Sequence, residues 1–169
     1  MYVSDAIGRI VEELEFMEAE RRELNANGPH FRIVHRCGER FAPPGRRGKV
    51  VAVYLVHRGR TVQVRLGAIL LGLFEYMARR NKLAQTAKQI ESGTRASCSS
   101  GTWRASALTR CIPRRYVRVY VKRIRAALGE ALREAGLGEV PDAVLASDDM
   151  ATNETGYRLR GTVEWTPIV

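Results

Sequence analysis

Acidic residues are nearly missing from the middle of this 169-residue chain. Residues 30–125 hold twenty-two basic and three acidic side chains, net +19, whereas residues 1–29 are net −4 and residues 126–169 net −5. So many like charges repel one another in a compact state. Solubility alone does not account for such a block, and an anionic partner does. Cysteine is scarce as well. Cys37, Cys98 and Cys111 are odd in number and far apart, which fits reduced thiols in a cytoplasm better than a disulfide framework. No apolar run approaches the ~20 residues of a membrane span, so no membrane partner is expected. The N-terminus opens on an acidic amphipathic stretch, where a signal peptide would place a basic region and then an apolar one. Internal repeats are missing too.

The signatures of catalysis are also lacking. There is no phosphate-binding glycine loop of the Walker type, and the basic middle has no paired carboxylates for acid–base work. His30, His35 and His57 supply three imidazoles, but only His35-x-Cys37 has tight metal-ligand spacing, and two ligands do not make a site. Neither a metal nor a cofactor is expected, and the chain does not read as an enzyme. Cys98 lies in an arginine-bearing stretch and reads either as a redox-sensitive thiol or as an idle surface one.

What is present is concentrated in residues 114–125, where six of twelve side chains are basic and none is acidic. On a helix, at about 100° per residue, they separate into stripes. Val117, Val121, Ile124 and Leu128 recur at the spacing of a buried face. Arg115, Arg118, Lys122 and Arg125 form a cationic stripe beside it. One side sits on a core and the other meets a polyanion, which is what a DNA recognition helix requires.

Around this helix the pattern is mixed α+β, in a chain long enough for one proper core. In residues 4–26, Val3, Ile7, Ile10, Leu14, Met17, Arg21 and Leu24 follow heptad spacing. That seam reads as a short dimerisation helix or as a helix packed on its own domain. Short strands follow at Phe31-Arg32-Ile33-Val34, Val50–His57 and 61–66, the last two around a hairpin turn at Arg58-Gly59-Arg60, and an antiparallel sheet is expected. Residues 67–82 predict a strong helix and 83–92 a shorter one with Ala84, Ala87 and Ile90 inward. Residues 93–113 read as a long loop, which is usually functional or mobile. There Trp103 either anchors a partner or folds back onto the core. After the basic helix, residues 143–146, a polar loop, and residues 156–160 and 162–165 read as a terminal hairpin with an extension.

That order resembles a winged helix-turn-helix. Residues 62–159 are similar to the DNA-binding effector domain of OmpR/PhoB-type bacterial transcriptional regulators. The similarity is carried by Val64-Arg65-Leu66, by Tyr116-Val117-Arg118-Val119-Tyr120-Val121-Lys122-Arg123-Ile124-Arg125 with Leu128-Gly129, and by Thr155-Gly156-Tyr157-Arg158-Leu159. The resemblance implies a winged helix-turn-helix with an N-terminal antiparallel sheet, a three-helix core and a C-terminal β-hairpin wing. It divides the chain into an N-terminal amphipathic helix, 1–28, and a DNA-binding domain, 29–169. It also implies that the third helix enters the major groove and that the wing touches the minor groove or backbone.

Carried over by position, Arg115, Arg118, Lys122, Arg123 and Arg125 face DNA. Arg118 and Lys122 are assigned to bases, and Arg114, Arg115 and Arg125 to phosphates. Thr155, Arg158 and Asn153 belong to the wing. Asn153 stands where the family usually has a basic residue, and the loop before it, 147–152, is longer and acidic. In the family the loop before the third helix meets RNA polymerase or DNA backbone; here Arg95, Arg104 and Arg110 favour phosphate.

The first sixty or so residues are too few for a receiver domain. The expected function is sequence-specific binding of double-stranded DNA by a cytoplasmic transcriptional regulator of the bacterial nucleoid. RNA polymerase and a second copy of the chain, joined through residues 4–26, are its further partners. Two other readings remain: a nucleic-acid protein without promoter specificity (a replication initiator, nucleoid or RNA-binding factor) and a winged-helix module that binds protein.

Overall fold

The computed structural model describes residues 2–36, 50–80, 83–99, 111–137, 145–149 and 154–168. The chain is α+β, with four helices and two sheets among those residues. Helix α1 (Tyr2–Asn27) precedes strands β1 (His30–Arg36), β2 (Val50–His57) and β3 (Arg60–Val64). Next come α2 (Ala68–Arg79), the two-residue β4 (Gln85–Thr86), α3 (Ala87–Ser99) and α4 (Arg114–Glu134). Strands β5 (Leu145–Asp149), β6 (Thr155–Leu159) and β7 (Thr162–Ile168) complete the fold.

The first sheet has the order β3-β2-β1-β7. Alternation builds its core face: Phe31, Ile33 and His35 of β1 are buried while His30, Arg32 and Val34 between them are only partly covered. Arg58 and Gly59 both take positive φ, 49° and 73°, as a two-residue hairpin turn between β2 and β3 requires. Pairing between β1, β2 and β3 is antiparallel as expected, but β7 lies parallel to β1, from His30 opposite Thr162 to Arg36 opposite Ile168. The sheet is therefore mixed, and the expected all-antiparallel sheet is corrected. The expected extension of the terminal hairpin is this fourth strand, which returns to the start of the chain.

Helices α2 and α4 pack on the inner face. The ring of Phe74 meets Phe31 edge-on at 5.4 Å between centroids. Val117, Val121, Ile124 and Leu128 are all buried, so the apolar spacing read in the sequence fixes how α4 is rotated about its axis. The backbone N–H of Leu137 donates to the carbonyl of Leu132 and that of Gly136 to Arg133, which closes the helix just after Glu134.

Two sequence expectations fail between α2 and α4. The helix expected over 83–92 begins only at Ala87, because Thr86 and Gln89 form a capping box. The Thr86 hydroxyl accepts the N–H of Gln89 at 3.2 Å, and the Gln89 side-chain oxygen accepts the N–H of Thr86 at 2.9 Å. Gln85 and Thr86 instead pair with Tyr157 and Gly156 of β6. The helix then runs on through 93–99, part of the expected loop. Gly93 does not break it, since a Cβ there would fall 1.8 Å from the Tyr76 hydroxyl of α2. That glycine is the space in which Tyr76 lies, and burial raises the phenol's pKa above its usual value. Residues 100–110, with Trp103, Arg104 and Arg110, lie outside the described residues, as do Cys37 and residues 41–48.

The second sheet has the order β4-β6-β5. Ser147, Asp148 and Asp149, expected in a polar loop, belong to β5 and pair with Tyr157, Gly156 and Thr155. Asn153 lies outside the described residues.

Candidate nucleic-acid interface

The rotation of α4 decides what its cations face. With Val117 and Val121 buried, Arg114, Arg115, Arg118, Lys122 and Arg123 are exposed and Arg125 is half-covered. Arg118, Lys122 and Arg125 line a cleft of about 550 Å³ with Val121 and, from β6, Thr155 and Tyr157. Beside it a smaller recess brings Arg114 together with Lys88 at the start of α3 and Glu154 and Thr155 at the start of β6. Five of the sequence-predicted residues, Arg114, Arg118, Lys122, Arg125 and Thr155, thus meet along one edge of α4, where it runs next to the β5–β6 hairpin. Among the described residues, Arg118, Lys122 and Arg123 form no ion pair.

The entry to α4 is fastened to α3. Pro113 precedes the helix without a side-chain cap of its own. Glu91 of α3 accepts the backbone N–H of Arg114 at 2.8 Å, a carboxylate at the positive end of the helix dipole. The buried Thr94 hydroxyl accepts the N–H of Ile112 at 3.0 Å and donates to the carbonyl of Ile90 at 2.8 Å. Lys88, Glu91 and Thr94 are absent from the sequence-derived site. Thr86-x-x-Gln89, once read as a capping box, places all three on one helix beside α4.

Other expected residues go elsewhere. Arg123 is set about 140° from Arg118 around the helix, on the flank where Tyr116 and Tyr120 stack with ring centroids 6.0 Å apart. Arg158 alternates with Tyr157 and Leu159 and so lies on the other face of β6. It lines a separate cleft of about 640 Å³ with Glu20, His57, Arg58 and Arg160. Arg95 is on α3, 3.9 Å from Glu91, and not in a loop. Cys98 also falls within α3.

The separate cleft is where α1 is tied to the sheet. Glu20 accepts Arg58 Nε at 2.8 Å and is also bonded to its Nη2, while His57 Nε2 lies 3.1 Å from the same carboxylate. Arg58 stacks over Phe16 at 5.1 Å. The hydrogen bond from Arg58, then the charge of His57, holds the Glu20 carboxyl below its usual pKa. A lowered carboxylate pKa contributes an attachment that is complete above about pH 4.5 and is lost as pH falls through the lowered value. Protection factors in the last turns of α1, taken relative to intrinsic exchange at each pH, are therefore expected to fall on acidification below that point while those of α4 hold. An equal loss of protection in both helices would refute the Glu20 anchor.

Among the described residues no helix is long and apolar enough to cross a membrane. No family model matches the chain, and neither the curated proteins nor the solved structures contain a significant match to it.

Proposed function

We propose that the chain binds double-stranded DNA sequence-specifically as a winged-helix transcriptional regulator, with α4 in the major groove and the β5–β6 hairpin as its wing. The observation that carries this is the cleft between α4 and β6. A helix locked by its apolar stripe presents Arg118, Lys122 and Arg125 beside a hairpin, with Arg114 and Lys88 continuing the charge. Helix N-termini favour phosphate, and the capped start of α3 opens on the same recess. The element order, three helices between a sheet and a hairpin with a short strand joining the hairpin, supports a winged helix.

In this reading the protein acts in the bacterial cytoplasm at the nucleoid, as a homodimer through residues 4–26. RNA polymerase is the alternative partner of the segment before α4, whose arginines favour phosphate. Asn153, Arg104 and Arg110 extend the DNA contacts from the wing tip and that segment. The division into an N-terminal helix, 1–28, and a DNA-binding domain, 29–169, belongs to the same proposal, and no catalytic step is assigned.

Selection from a random duplex library tests the reading. An enriched motif is expected, bound with an affinity that falls steeply with salt, by a slope of about −0.9 per phosphate neutralised. Recovery without enrichment would replace a regulator by a nucleoid or replication factor. Salt-insensitive or absent binding would remove nucleic acid as the partner.

A further inference from the structure

Helix α1 leaves its heptad seam uncovered. Ile7, Ile10, Leu14 and Met17 are 56%, 56%, 57% and 53% exposed, about what a lone helix gives. Packing on its own domain, one of the two sequence readings, is therefore not what the chain does with this face. Among the described residues, only the far end is held, at Glu20 and Phe16.

We infer that two copies of the chain pair through residues 3–21 of α1 in antiparallel orientation, and that the resulting two-fold axis makes the DNA target an inverted repeat. The first half stands on α1 alone; the second rests on the proposed DNA-binding function. Val3, Ile10 and Met17 take heptad positions d, and Ile7, Leu14 and Arg21 positions a. Five apolar seam side chains per copy, and Val11 on the flank, bring the pair to the order of ~1,200 Å², where stable interfaces begin.

Charge selects the orientation. Position e holds Ser4, Val11 and Glu18, and position g holds Ala6, Glu13 and Glu20. A parallel pair sets Arg21 against its own copy and Glu13 against Glu18 on both sides, all like charges in contact. An antiparallel pair with Ile10 facing Leu14 sets Glu18 against Ser4 and Glu20 against Ala6. Val11 then meets its own copy near the axis, and Glu13 facing Glu13 is the one like-charge contact left. Glu20 remains free to keep its bonds to Arg58 and His57 in its own chain. The two bodies, each held near residue 20, then sit at opposite ends of the pair and do not compete for one place. An isologous pair of this kind relates the two α4 helices by a two-fold axis. Half-sites read by them are inverted, with centres one helical turn or a multiple apart.

Light scattering of the full chain is expected to give twice the 19.0 kDa chain mass, and Ile10→Glu with Leu14→Glu is expected to return it to one. Both positions are exposed, so an unchanged urea midpoint per copy separates loss of pairing from loss of fold. Disulfide trapping reads the orientation against the native cysteines as background. A mixture of Ile7→Cys and Met17→Cys chains should form the mixed dimer, and Ile7→Cys alone should not. A monomeric wild type, or a dimer untouched by the double substitution, overturns the pairing. Efficient trapping of Ile7→Cys with itself overturns the antiparallel order. Selected duplexes carrying direct repeats overturn the inverted-repeat inference. An antiparallel dimer that enriches no sequence leaves the pairing standing and instead refutes the sequence-specific reading.

Discussion

Gly161→Ala is expected to cost about 3–5 kcal/mol, most of the stability that a small domain possesses. Gly161 joins β6 to β7 with φ of +123°, a region costly for any residue with a Cβ, by about 1–3 kcal/mol. The added methyl would also lie 2.2 Å from the carbonyl oxygen of Pro29 and 3.3 Å from the Phe31 ring. Backbone cannot rotate away as a flexible side chain would, so β7 must move off β1. That motion stretches the 3.0 Å bond from the Thr162 N–H to the Pro29 carbonyl, the first contact of the parallel pairing. The chain's start is equally confined, because a Cβ on Gly28 would fall 2.7 Å from the Gly161 nitrogen. Gly129→Ala supplies the contrast. It lies in α4 with open space around its position, and alanine is expected to stabilise that helix by about 0.5–1 kcal/mol. Urea unfolding of the two variants should move the midpoint in opposite directions; equal shifts would mean that the crossing of Gly28 and Gly161 is not tight.

How much of this was legible in the sequence depends on how local the cause is. Helix α4 was readable because its determinants lie within one stretch: apolar residues at helical spacing, cations between them, and Pro113 before it. Strands β1 to β3 were readable for the same reason, through alternation and a glycine turn. The parallel pairing of β7 with β1 was not, since residues 132 positions apart make it and its enabling feature is one glycine with unusual φ. Strand β5 was hidden because Asp148 and Asp149 are poor strand formers, and pairing with β6 overrides that preference. The start of α3 was misplaced although its signal was local. Leu83 and Ala84 extend the apolar pattern backwards, whereas the reciprocal bonds of Thr86 and Gln89 set the boundary.

The candidate interface divides in the same way. The cationic stripe could be read from α4 alone, but not what lies opposite it. That Thr155 joins the stripe and Arg158 leaves it follows from the two-residue period of β6 once Tyr157 and Leu159 are buried. The anchoring of α4 by Glu91 and Thr94 depends on two helices meeting, which spacing within either does not disclose. An uncovered α1 likewise required the remainder of the fold to be placed, because a heptad seam has the same sequence whether its partner is the same chain or another.

Replacing Arg118, Lys122 and Arg125 together by alanine is expected to lower affinity for the selected duplex by on the order of 10³-fold or more. Each such contact contributes about 1–3 kcal/mol when it reaches a base, and neighbours on one stripe need not add. The salt dependence should become shallower, by up to about 2.7 in slope if all three neutralise phosphates. Arg118→Ala alone separates the two roles: relaxed preference at one base pair marks a base contact, and a uniform loss on every sequence marks a phosphate contact. Stability should change little on replacing Arg118 and Lys122, since both are exposed and the apolar stripe beneath them is intact. Arg158→Ala is the decisive control. It lines the cleft with Glu20 and Arg58, on the far face of β6 from Thr155, so its loss should leave the DNA affinity of the folded protein within about twofold. If Arg158→Ala weakens binding as strongly as Arg118→Ala, DNA does not lie along the α4–β6 cleft and the assignment of that cleft fails.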